Sequence, residues 1–431
     1  MESTLIQKTI GELILDTRRA SNMSITQLSE LSGVNRGAIS RLENNDVKRP
    51  EFAAIYALSV ALQISFDEIV HYYVDTEKRS DVLLHILSVS IQQNSDIDLI
   101  RKVATKYLEA PNEDSFDLTE KLYQYIGSIE DPSIRLSLYT LIIDHSRSHG
   151  IMPYIAKGLY QKYLIERNDF SKLKETYYSG KYILHYIEFL SQQDRIELYY
   201  KLGIHAFNLR IYMESIDHCK RVLGEEDGLS PYKIYALGIL RDANFCIEDY
   251  KEAEMYSIQY KQFNYLNYPH TKEHVVLMDA QFAAKKGDAE KAIEILLSFL
   301  ETCSDTHIVS AYRQLLQLYL QQNNHTGIKD TLDKCKEIVP IANSNNPFIC
   351  SMYGDLLKIK GECYLTLGDY AQCIELMVES ASWYSKVNDT KKEKECLNVI
   401  MRINLEHRVS PQTTFEKLSK YFIQSAKEME G

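Results

Sequence analysis

Residues 24–70 carry a run of helix-start and helix-stop signals, and these constrain the fold more than any other part of the chain. Ser24 and Gln27 have the spacing of a capping box, in which two side chains satisfy the free amides at a helix start. Gly33 suits the left-handed turn that ends such a helix. Asn35 can cap the helix that follows. The segment therefore predicts short helices joined by tight turns.

Apolar residues at helical spacing extend this pattern to five helices. Pro50 is expected to start the fourth helix, and Ser65 with Glu68 is expected to form a second capping box for the fifth. The sequence thus predicts a compact all-α domain at the N-terminus. The residues expected to face inward are Leu5, Ile6, Ile10, Leu13 and Ile14, then Leu28 and Leu31, then Ala38, Ile39 and Leu42, then Phe52, Ile55, Leu58 and Leu62, and finally Phe66 and Ile69.

Several short blocks in this domain match one known family at the correct spacing. They are SGV at Ser32–Val34, ISRLEN at Ile39–Asn44, KRP at Lys48–Pro50 and FDEI at Phe66–Ile69. With them, residues 5–72 resemble the Cro/CI-type (XRE) helix-turn-helix repressors. The resemblance implies an ion pair between Arg18 and Glu43 that serves structure. Ile25 stands where the family often has a phosphate-binding Gln, so one backbone contact is not expected.

The resemblance also implies that Arg36–Glu43 is a recognition helix, whose outer face enters the major groove of double-stranded operator DNA. Arg36 and Arg41 are the expected readers of guanine, whereas Gly37 has no side chain with which to read a base. The expected base-facing residues are Arg36, Gly37, Ser40, Arg41 and Asn44, and the expected phosphate contacts are Asn35, Asn44, Lys48 and Arg49. The alternative is a helical bundle that has lost DNA binding.

The overall charge does not favour nucleic acid. The net charge is −11, and residues 1–75 hold seven Lys and Arg against ten Asp and Glu, a net charge of −3. Arg36, Arg41, Lys48 and Arg49 nevertheless lie close together, opposed in that stretch by Glu43 and Asp46. DNA affinity is therefore expected to come from this local patch.

After residue 75 the chain becomes a series of amphipathic helices with a weak repeat. The clearest copies are 282–300 and 364–384, and weaker copies lie at 163–178, 207–223, 244–260 and 319–335. This series resembles tetratricopeptide (TPR) repeats, which form an α-solenoid of helix pairs. One position in the second helix of each pair is expected to take a buried, usually small residue, and it falls at Leu173, Ser215, Ala253, Ala292, Ile328 and Cys373.

In a TPR-like solenoid the first helices of the pairs line a concave surface. Counting back from the buried position places polar and aromatic residues on that surface, and Asn, Gln and Arg can bond a peptide backbone or a terminal carboxylate. A short peptide is therefore the expected ligand. The candidate peptide-binding residues are Tyr200, Asn208, Arg241, Asp242, Asn244, Gln281, Arg313, Gln317 and Glu362, with Ile204 and Tyr235 beside them.

The sequence gives little reason to expect an enzyme. His270 and His274 fit an HxxEH pattern of zinc proteases, but no third ligand can be named, and phosphate-loop and nucleophile-elbow motifs are missing. We therefore expect no catalysis, metal or cofactor. All eight cysteines lie after residue 218 without a CxxC pair, and no segment has the length and apolarity of a membrane span. We expect a cytoplasmic protein that does not bind membranes.

A helix-turn-helix head with a TPR-like body resembles the RRNPP quorum-sensing regulators (the Rgg, PlcR, PrgX and NprR types), and the arbitrium receptor AimR has a comparable layout. The expected class is all-α, a five-helix domain followed by a right-handed TPR-like solenoid. The expected segments are 1–75 for DNA binding, 76–150 as irregular helical pairs, 151–390 for peptide sensing and 391–431 as a cap with possible dimerisation.

The resemblance implies a homodimeric transcription regulator, in which a short signalling peptide changes DNA binding. The alternative is a regulator or scaffold of the same architecture that is controlled by a protein partner.

Overall fold

The computed structural model describes residues 8–226, 228, 230–265, 271–336, 338, 347–407 and 411–430. Every regular element in these residues is helical, which confirms the predicted all-α class. The chain divides into two compact units. The head unit comprises Met1–Ile165 with Ile183–Leu190, and the repeat unit comprises Glu166–Tyr182 with Ser191–Gly431.

The head unit contains ten α-helices in its described residues. The first five form the predicted N-terminal domain, and the other five pack on one continuous core with it. The boundary between the compact units thus lies well after residue 75, where the DNA-binding segment was expected to end. The helices are α1 Ile10–Ala20, α2 Ile25–Ser32, α3 Arg36–Glu43, α4 Phe52–Ala61, α5 Phe66–Tyr73, α6 Ser80–Gln92, α7 Ile97–Leu108, α8 Ser115–Ile126, α9 Pro132–His149 and α10 Met152–Glu166.

The predicted capping residues of α2 and α3 form the expected hydrogen bonds and turn. Ser24 and Gln27 form the reciprocal capping box of α2, and Gly33 follows in the left-handed conformation with φ of 73°. The Asn35 side chain accepts a hydrogen bond from the Gly37 amide at the start of α3. Because each signal fixes a helix end without distant contacts, α2 and α3 begin and end where the sequence predicts.

Three details of the predicted head are wrong. Leu31 is 66% exposed instead of facing the core, since it lies at the solvent side of the last turn of α2. The fourth helix begins at Phe52 with Glu51 as its cap, and not at Pro50. Ser65 accepts from the Glu68 amide, but the Glu68 carboxylate does not return the bond, so the second capping box is only half formed. Leu5 and Ile6 lie outside the described residues.

A short non-helical stretch, residues 74–79, connects α5 to α6. Glu77 is buried in this stretch and accepts hydrogen bonds from Tyr73 and from the side chain and amide of Arg79. Burial raises the pKa of Glu77, but the hydrogen bonds from Arg79 outweigh this and lower it to about 2. A carboxylate that is held this firmly fixes the connection between the two segments.

The repeat unit consists of successive antiparallel helix pairs. The predicted helical-repeat body is therefore confirmed. It begins with α11 Leu173–Tyr182 and continues with α12 Gln192–Asn208, α13 Tyr212–Glu225, α14 Pro231–Cys246, α15 Tyr250–Lys261, α16 Thr271–Lys285, α17 Ala289–Leu300, α18 Asp305–Gln321, α19 His325–Lys334, α20 Pro347–Thr366, α21 Tyr370–Lys386, α22 Thr390–His407 and α23 Pro411–Glu430.

The buried position of the repeat has a direct packing role. All six predicted residues, from Leu173 to Cys373, are buried. Ser215 donates to the Gly203 carbonyl of the preceding helix at 2.8 Å, and a Cβ on Gly203 would lie 2.6 Å from the Cys219 sulfur. Helices α12 and α13 therefore approach so closely that only small residues fit at their crossing.

Candidate functional site

The outer face of α3 is the first candidate site. Arg36, Gly37, Arg41 and Asn44 are exposed and Ser40 is partly exposed, whereas Ile39 and Leu42 on the opposite face are buried. Lys48 and Arg49 are exposed in the loop that follows, and Asn35 is exposed at the helix start. The structure thus brings all eight predicted residues to one segment of surface. We call this set the α3 surface.

The core behind the α3 surface holds it in place through an ion pair. The Arg18 guanidinium donates to both Glu43 carboxylate oxygens, at 2.6 and 2.7 Å, and also to the Met23 carbonyl. The hydrogen bond to Glu43 raises the pKa of Arg18. The structure therefore contains the ion pair that the resemblance implied between α1 and α3.

This pair also changes the charge of the surface. Glu43 is only 6% exposed and faces Arg18, so it does not oppose the four cations of the α3 surface. Asp46 is the remaining nearby carboxylate of that stretch and is exposed. The local surface is consequently more positive than the linear sequence suggests.

Gly11 allows α1 to pack against the end of α3. A Cβ at this position would lie 2.2 Å from the Leu42 carbonyl oxygen, a distance that backbone atoms cannot yield without separating the helices. Ile25 packs against the same core from the start of α2. The apolar Ile25 side chain, at the position where the family often has Gln, therefore packs against the core of the domain.

The second candidate site is a cavity of about 460 Å³ inside the repeat unit. Its walls come from the first helices of five successive pairs, α12, α14, α16, α18 and α20, together with Tyr260 of α15. Of the predicted peptide-binding residues, Tyr200, Asn208, Arg241, Asp242, Gln281 and Arg313 line it, as do Ile204 and Tyr235. The cavity has the size of a typical small-ligand pocket.

Three predicted residues do not line the cavity. The Asn244 side chain is buried and donates to the Leu240 carbonyl of its own helix, so it serves packing. Gln317 is exposed, Glu362 is partly exposed, and neither is among the lining residues. Counting back a fixed number of residues was therefore misleading in the later repeats.

The reason is a drift of the lining residues along successive helices. In α12 the last residue that lines the cavity is Asn208, seven residues before the buried position Ser215. In α20 the last lining residue is Asp355, eighteen residues before the buried position Cys373. The later first helices, α16, α18 and α20, thus present a more N-terminal stretch to the cavity than α12 does. Met352, Asp355 and His307 were missed for this reason.

Arg241 provides the strongest polar group of the cavity. Its side chain is 5% exposed, its Nε donates to Asp242 at 2.7 Å, and its guanidinium lies 4.9 Å from the Tyr260 ring centre. Burial lowers the pKa of Arg241, but Asp242 outweighs this and the pKa is raised. The guanidinium is therefore charged, and its Nη1 is buried without a hydrogen-bond partner.

A second polar cluster lies at the wall formed by α16 and α18. His307 Nδ1 is 2.6 Å from the Glu273 carboxylate, which also accepts from Ser304. The rings of His274 and His307 are 4.7 Å apart. Burial raises the pKa of Glu273, but the hydrogen bonds from Ser304 outweigh it and the pKa is lowered. This cluster is a hydrogen-bonded wall of the cavity.

The described residues contain no group of side chains arranged to hold a metal ion. His274 of the HxxEH pattern lines the cavity, and His270 lies outside the described residues. The described cysteines are all free thiols. A search of the described helices finds none long and apolar enough to span a bilayer.

Comparison with known protein families supports the prediction of an N-terminal helix-turn-helix domain. Residues 14–69 match the helix-turn-helix family model. The chain therefore carries an XRE-type helix-turn-helix domain at its N-terminus. It is a helix-turn-helix transcription regulator with a DNA-binding head and a helical repeat body.

Solved structures resemble the chain at low identity. A signal-transduction ATPase with a tetratricopeptide repeat sensor from Pyrococcus horikoshii is 12% identical, with 94% of this chain and 72% of that chain covered and a TM-score of 0.43. PlcR of Bacillus thuringiensis, in complex with the peptide PapR7 and DNA, is 12% identical, with 91% and 99% covered and a TM-score of 0.25.

No curated protein matches the chain.

Proposed function

We propose that the chain is a peptide-responsive transcription regulator of the RRNPP type. The α3 surface binds operator DNA, and the cavity of the repeat unit binds a short signalling peptide that changes this binding. The protein works in the cytoplasm without a cofactor or catalytic activity. The group that carries the proposal is Arg241, a buried charged guanidinium with an unpartnered N–H at the cavity wall.

The energetics of this group favour an anionic ligand. A buried donor without a partner costs about 1–3 kcal/mol, and a carboxylate that accepts from Arg241 Nη1 would recover that cost. A peptide offers such a carboxylate at its C-terminus or on an acidic side chain, and its backbone can bond Asn208 and Gln281 on the neighbouring helices. The cavity volume restricts the buried part to a few residues.

The test starts from peptides of five to eight residues selected from a synthetic library by binding to the purified chain. Operator affinity, measured with DNA selected by the same chain, should change at least about fivefold with a selected peptide, a typical allosteric coupling. Arg241→Met should weaken peptide binding at least about tenfold, and the exposed Gln317→Ala should leave it unchanged. If no peptide binds and a folded protein partner alters operator affinity instead, the proposal is wrong and the partner-controlled alternative is correct.

Dimerisation through the last two helices is part of the proposal. Met401 and Leu405 of α22 and Phe415, Phe422 and Ile423 of α23 are large apolar residues that are more than half exposed. The described helices leave these side chains uncovered, and a second copy of the chain would bury this face. Two paired heads would then read two half-sites.

Sedimentation equilibrium tests this part of the proposal. Leu405→Arg should convert a dimer into a monomer, because it places a charge in the apolar contact. Met213→Arg is the matched control, since Met213 is equally apolar and 61% exposed but lies on α13. A wild-type chain that is monomeric at micromolar concentration, or a Leu405→Arg variant that stays dimeric, would exclude this interface.

A further inference from the structure

The loop between α3 and α4 carries two cations of the α3 surface, and one main-chain hydrogen bond holds it. Lys48 and Arg49 are exposed in this loop, and the buried Pro50 follows them before α4 begins at Phe52. From residue 47 to residue 50, the Pro50 carbonyl is the only main-chain group with a hydrogen bond to another described residue. The position of the two cations therefore depends on what holds this carbonyl.

Tyr73, the last residue of α5, makes that contact. Its hydroxyl lies 2.9 Å from the Pro50 carbonyl oxygen, and its side chain is fully buried. The Tyr73 ring packs against Phe52, with 5.1 Å between the ring centres. Tyr73 thus contacts both the residue that ends the loop and the residue that begins α4, although 23 positions separate it from Pro50 in sequence.

The stretch between α5 and α6 fixes the Tyr73 hydroxyl in turn. The hydroxyl also lies 2.7 Å from Glu77 Oε2, so its single proton is shared between the Glu77 carboxylate and the Pro50 carbonyl. The buried Glu77 carboxylate further accepts from the amides of Lys78 and Arg79 and from the Arg79 guanidinium. It cannot turn away from Tyr73 without losing these bonds.

The Tyr73 phenol keeps the proton that the contact needs. Burial raises the pKa of Tyr73, and the hydrogen bond to the Glu77 carboxylate raises it further. Without this hydroxyl the buried Pro50 carbonyl would lack its donor. A buried acceptor without a donor is costly, and it recovers a partner by turning toward water. Such a turn would move the loop that carries Lys48 and Arg49.

This anchor lies outside the recognised DNA-binding segment. The helix-turn-helix family model matches residues 14–69, whereas Tyr73 ends α5 and Glu77 belongs to the connection to α6. Tyr73 is nevertheless part of the continuous core that the first five helices share with the next five. The loop of the DNA-binding segment is therefore held by residues that follow the segment.

We propose that Tyr73 is a positioning residue for DNA binding, which holds the loop so that Lys48 and Arg49 face the DNA phosphates before DNA arrives. The inference rests on the proposed binding of operator DNA at the α3 surface. A loop that is ordered in advance avoids part of the entropy cost of ordering it on binding. Base reading by Arg36 and Arg41 belongs to α3 and does not need this contact.

The salt dependence of DNA affinity measures this positioning. Each phosphate contact releases counterions, so the slope of log affinity against log salt counts phosphate contacts and not the fraction of folded protein. The experiment uses the full chain, a DNA fragment selected by the wild type and an unrelated fragment. Tyr73→Phe should weaken binding to both fragments about fivefold to tenfold near 0.1 M salt, and it should reduce the slope by about 1.

Two further variants separate positioning from stability. Tyr72→Phe is the matched control, since it removes a hydroxyl from the neighbouring residue of α5 and leaves the Pro50 contact in place. It should change neither the affinity nor the slope. Glu77→Gln removes the charge that pairs with Arg79 but leaves the Tyr73 hydroxyl able to donate to Pro50. It should lower the free energy of unfolding in urea and leave the slope unchanged.

A combined variant assigns the effect to the two cations. Lys48→Ala with Arg49→Ala removes the charges that Tyr73 is proposed to position. Adding Tyr73→Phe to this pair should weaken binding by less than about twofold and leave the slope as it is. In Tyr73→Phe alone, the ratio of affinities for the selected and unrelated fragments should stay within about twofold, because the base readers are untouched.

The outcomes separate this proposal from the proposed function. A wild-type slope in Tyr73→Phe, or a slope that Glu77→Gln lowers as much, would overturn the positioning role and leave DNA binding intact. If Tyr73→Phe does not fold, Phe52→Leu replaces it, since it removes the ring on which Tyr73 packs; an unchanged slope in this variant has the same meaning. A wild-type chain that selects no DNA would reject both the operator binding and the positioning role.

Discussion

The α3 surface and the cavity of the repeat unit are built in opposite ways. The α3 surface comes from residues within one stretch of fifteen, all presented to solvent by a single helix and the loop that follows. The cavity is assembled from six helices between Tyr200 and Asp355. Its residue Tyr200 is partly buried, and burial raises the pKa of this phenol to about 12.

This difference separates two kinds of recognition. An exposed helix face can read a rigid partner such as the major groove, since the partner supplies the complementary shape. A cavity supplies its own shape and strengthens each polar contact by excluding water. Changes to the α3 surface should therefore affect binding directly, whereas changes to the cavity should also affect folding.

The largest expected effect concerns the two arginines of the α3 surface. Arg36→Ala with Arg41→Ala should weaken binding to selected operator DNA by about 100-fold or more, because each guanine contact discriminates by about 1–3 kcal/mol. Fluorescence anisotropy with the selected fragment and with unrelated DNA measures the loss. The control Lys48→Ala should weaken binding to both fragments by a similar, smaller factor. An equal loss on both fragments for the arginine variant would contradict base reading.

The next largest effect concerns the Arg18–Glu43 ion pair behind the α3 surface and its contribution to stability. Glu43→Gln leaves the Arg18 guanidinium without its carboxylate, and a broken buried pair costs about 3 kcal/mol. Urea unfolding followed by circular dichroism should show this loss of stability. Glu51→Gln is the control, since Glu51 is exposed and its side chain makes no capping bond. Unchanged stability in Glu43→Gln would show that the pair is not needed.

A smaller effect on peptide affinity tests which residues of α18 line the cavity. Arg313 and Gln317 lie one helical turn apart on α18, but only Arg313 lines the cavity. Arg313→Ala should weaken a selected peptide about tenfold, as loss of a charged hydrogen bond does, and Gln317→Ala less than twofold. Isothermal titration calorimetry with the peptide measures both. If Gln317→Ala weakened peptide binding more than Arg313→Ala, Gln317 and not Arg313 would contact the peptide.

The smallest effect is a pH dependence of the repeat unit. Burial lowers the pKa of His205 and of His218 to about 4 each. The unfolded chain binds these protons near pH 6.5 and the folded chain does not, so stability is complete above pH 6.5 and falls as the pH drops toward 4. The expected loss by pH 5.5 is roughly 1 kcal/mol for each histidine.

Thermal unfolding between pH 7.5 and 4.5 measures this dependence. The double variant His205→Gln with His218→Gln should flatten the curve in this range, because neither glutamine takes up a proton. A wild-type curve that is already flat would show that the two rings are charged in the folded chain.

The sequence by itself determined the head almost completely. The capping box at Ser24, the left-handed Gly33 and the cap at Asn35 each act within a few residues, and the family blocks added the Arg18–Glu43 pair. It also determined the helical repeat, because the buried positions from Ser215 to Cys373 recur wherever two helices of a pair cross. These features depend on neighbours in sequence or on a repeated local contact.

Only the tertiary structure decided which residues meet inside the repeat unit. The stretch of each first helix that lines the cavity shifts from Asn208 in α12 to Asp355 in α20, and this shift depends on how all the intervening helices pack. The ion pair between Arg210 and Asp389, which are 179 residues apart in sequence, depends on the same packing. No local signal encodes it, because a small change in each crossing angle would separate the two side chains.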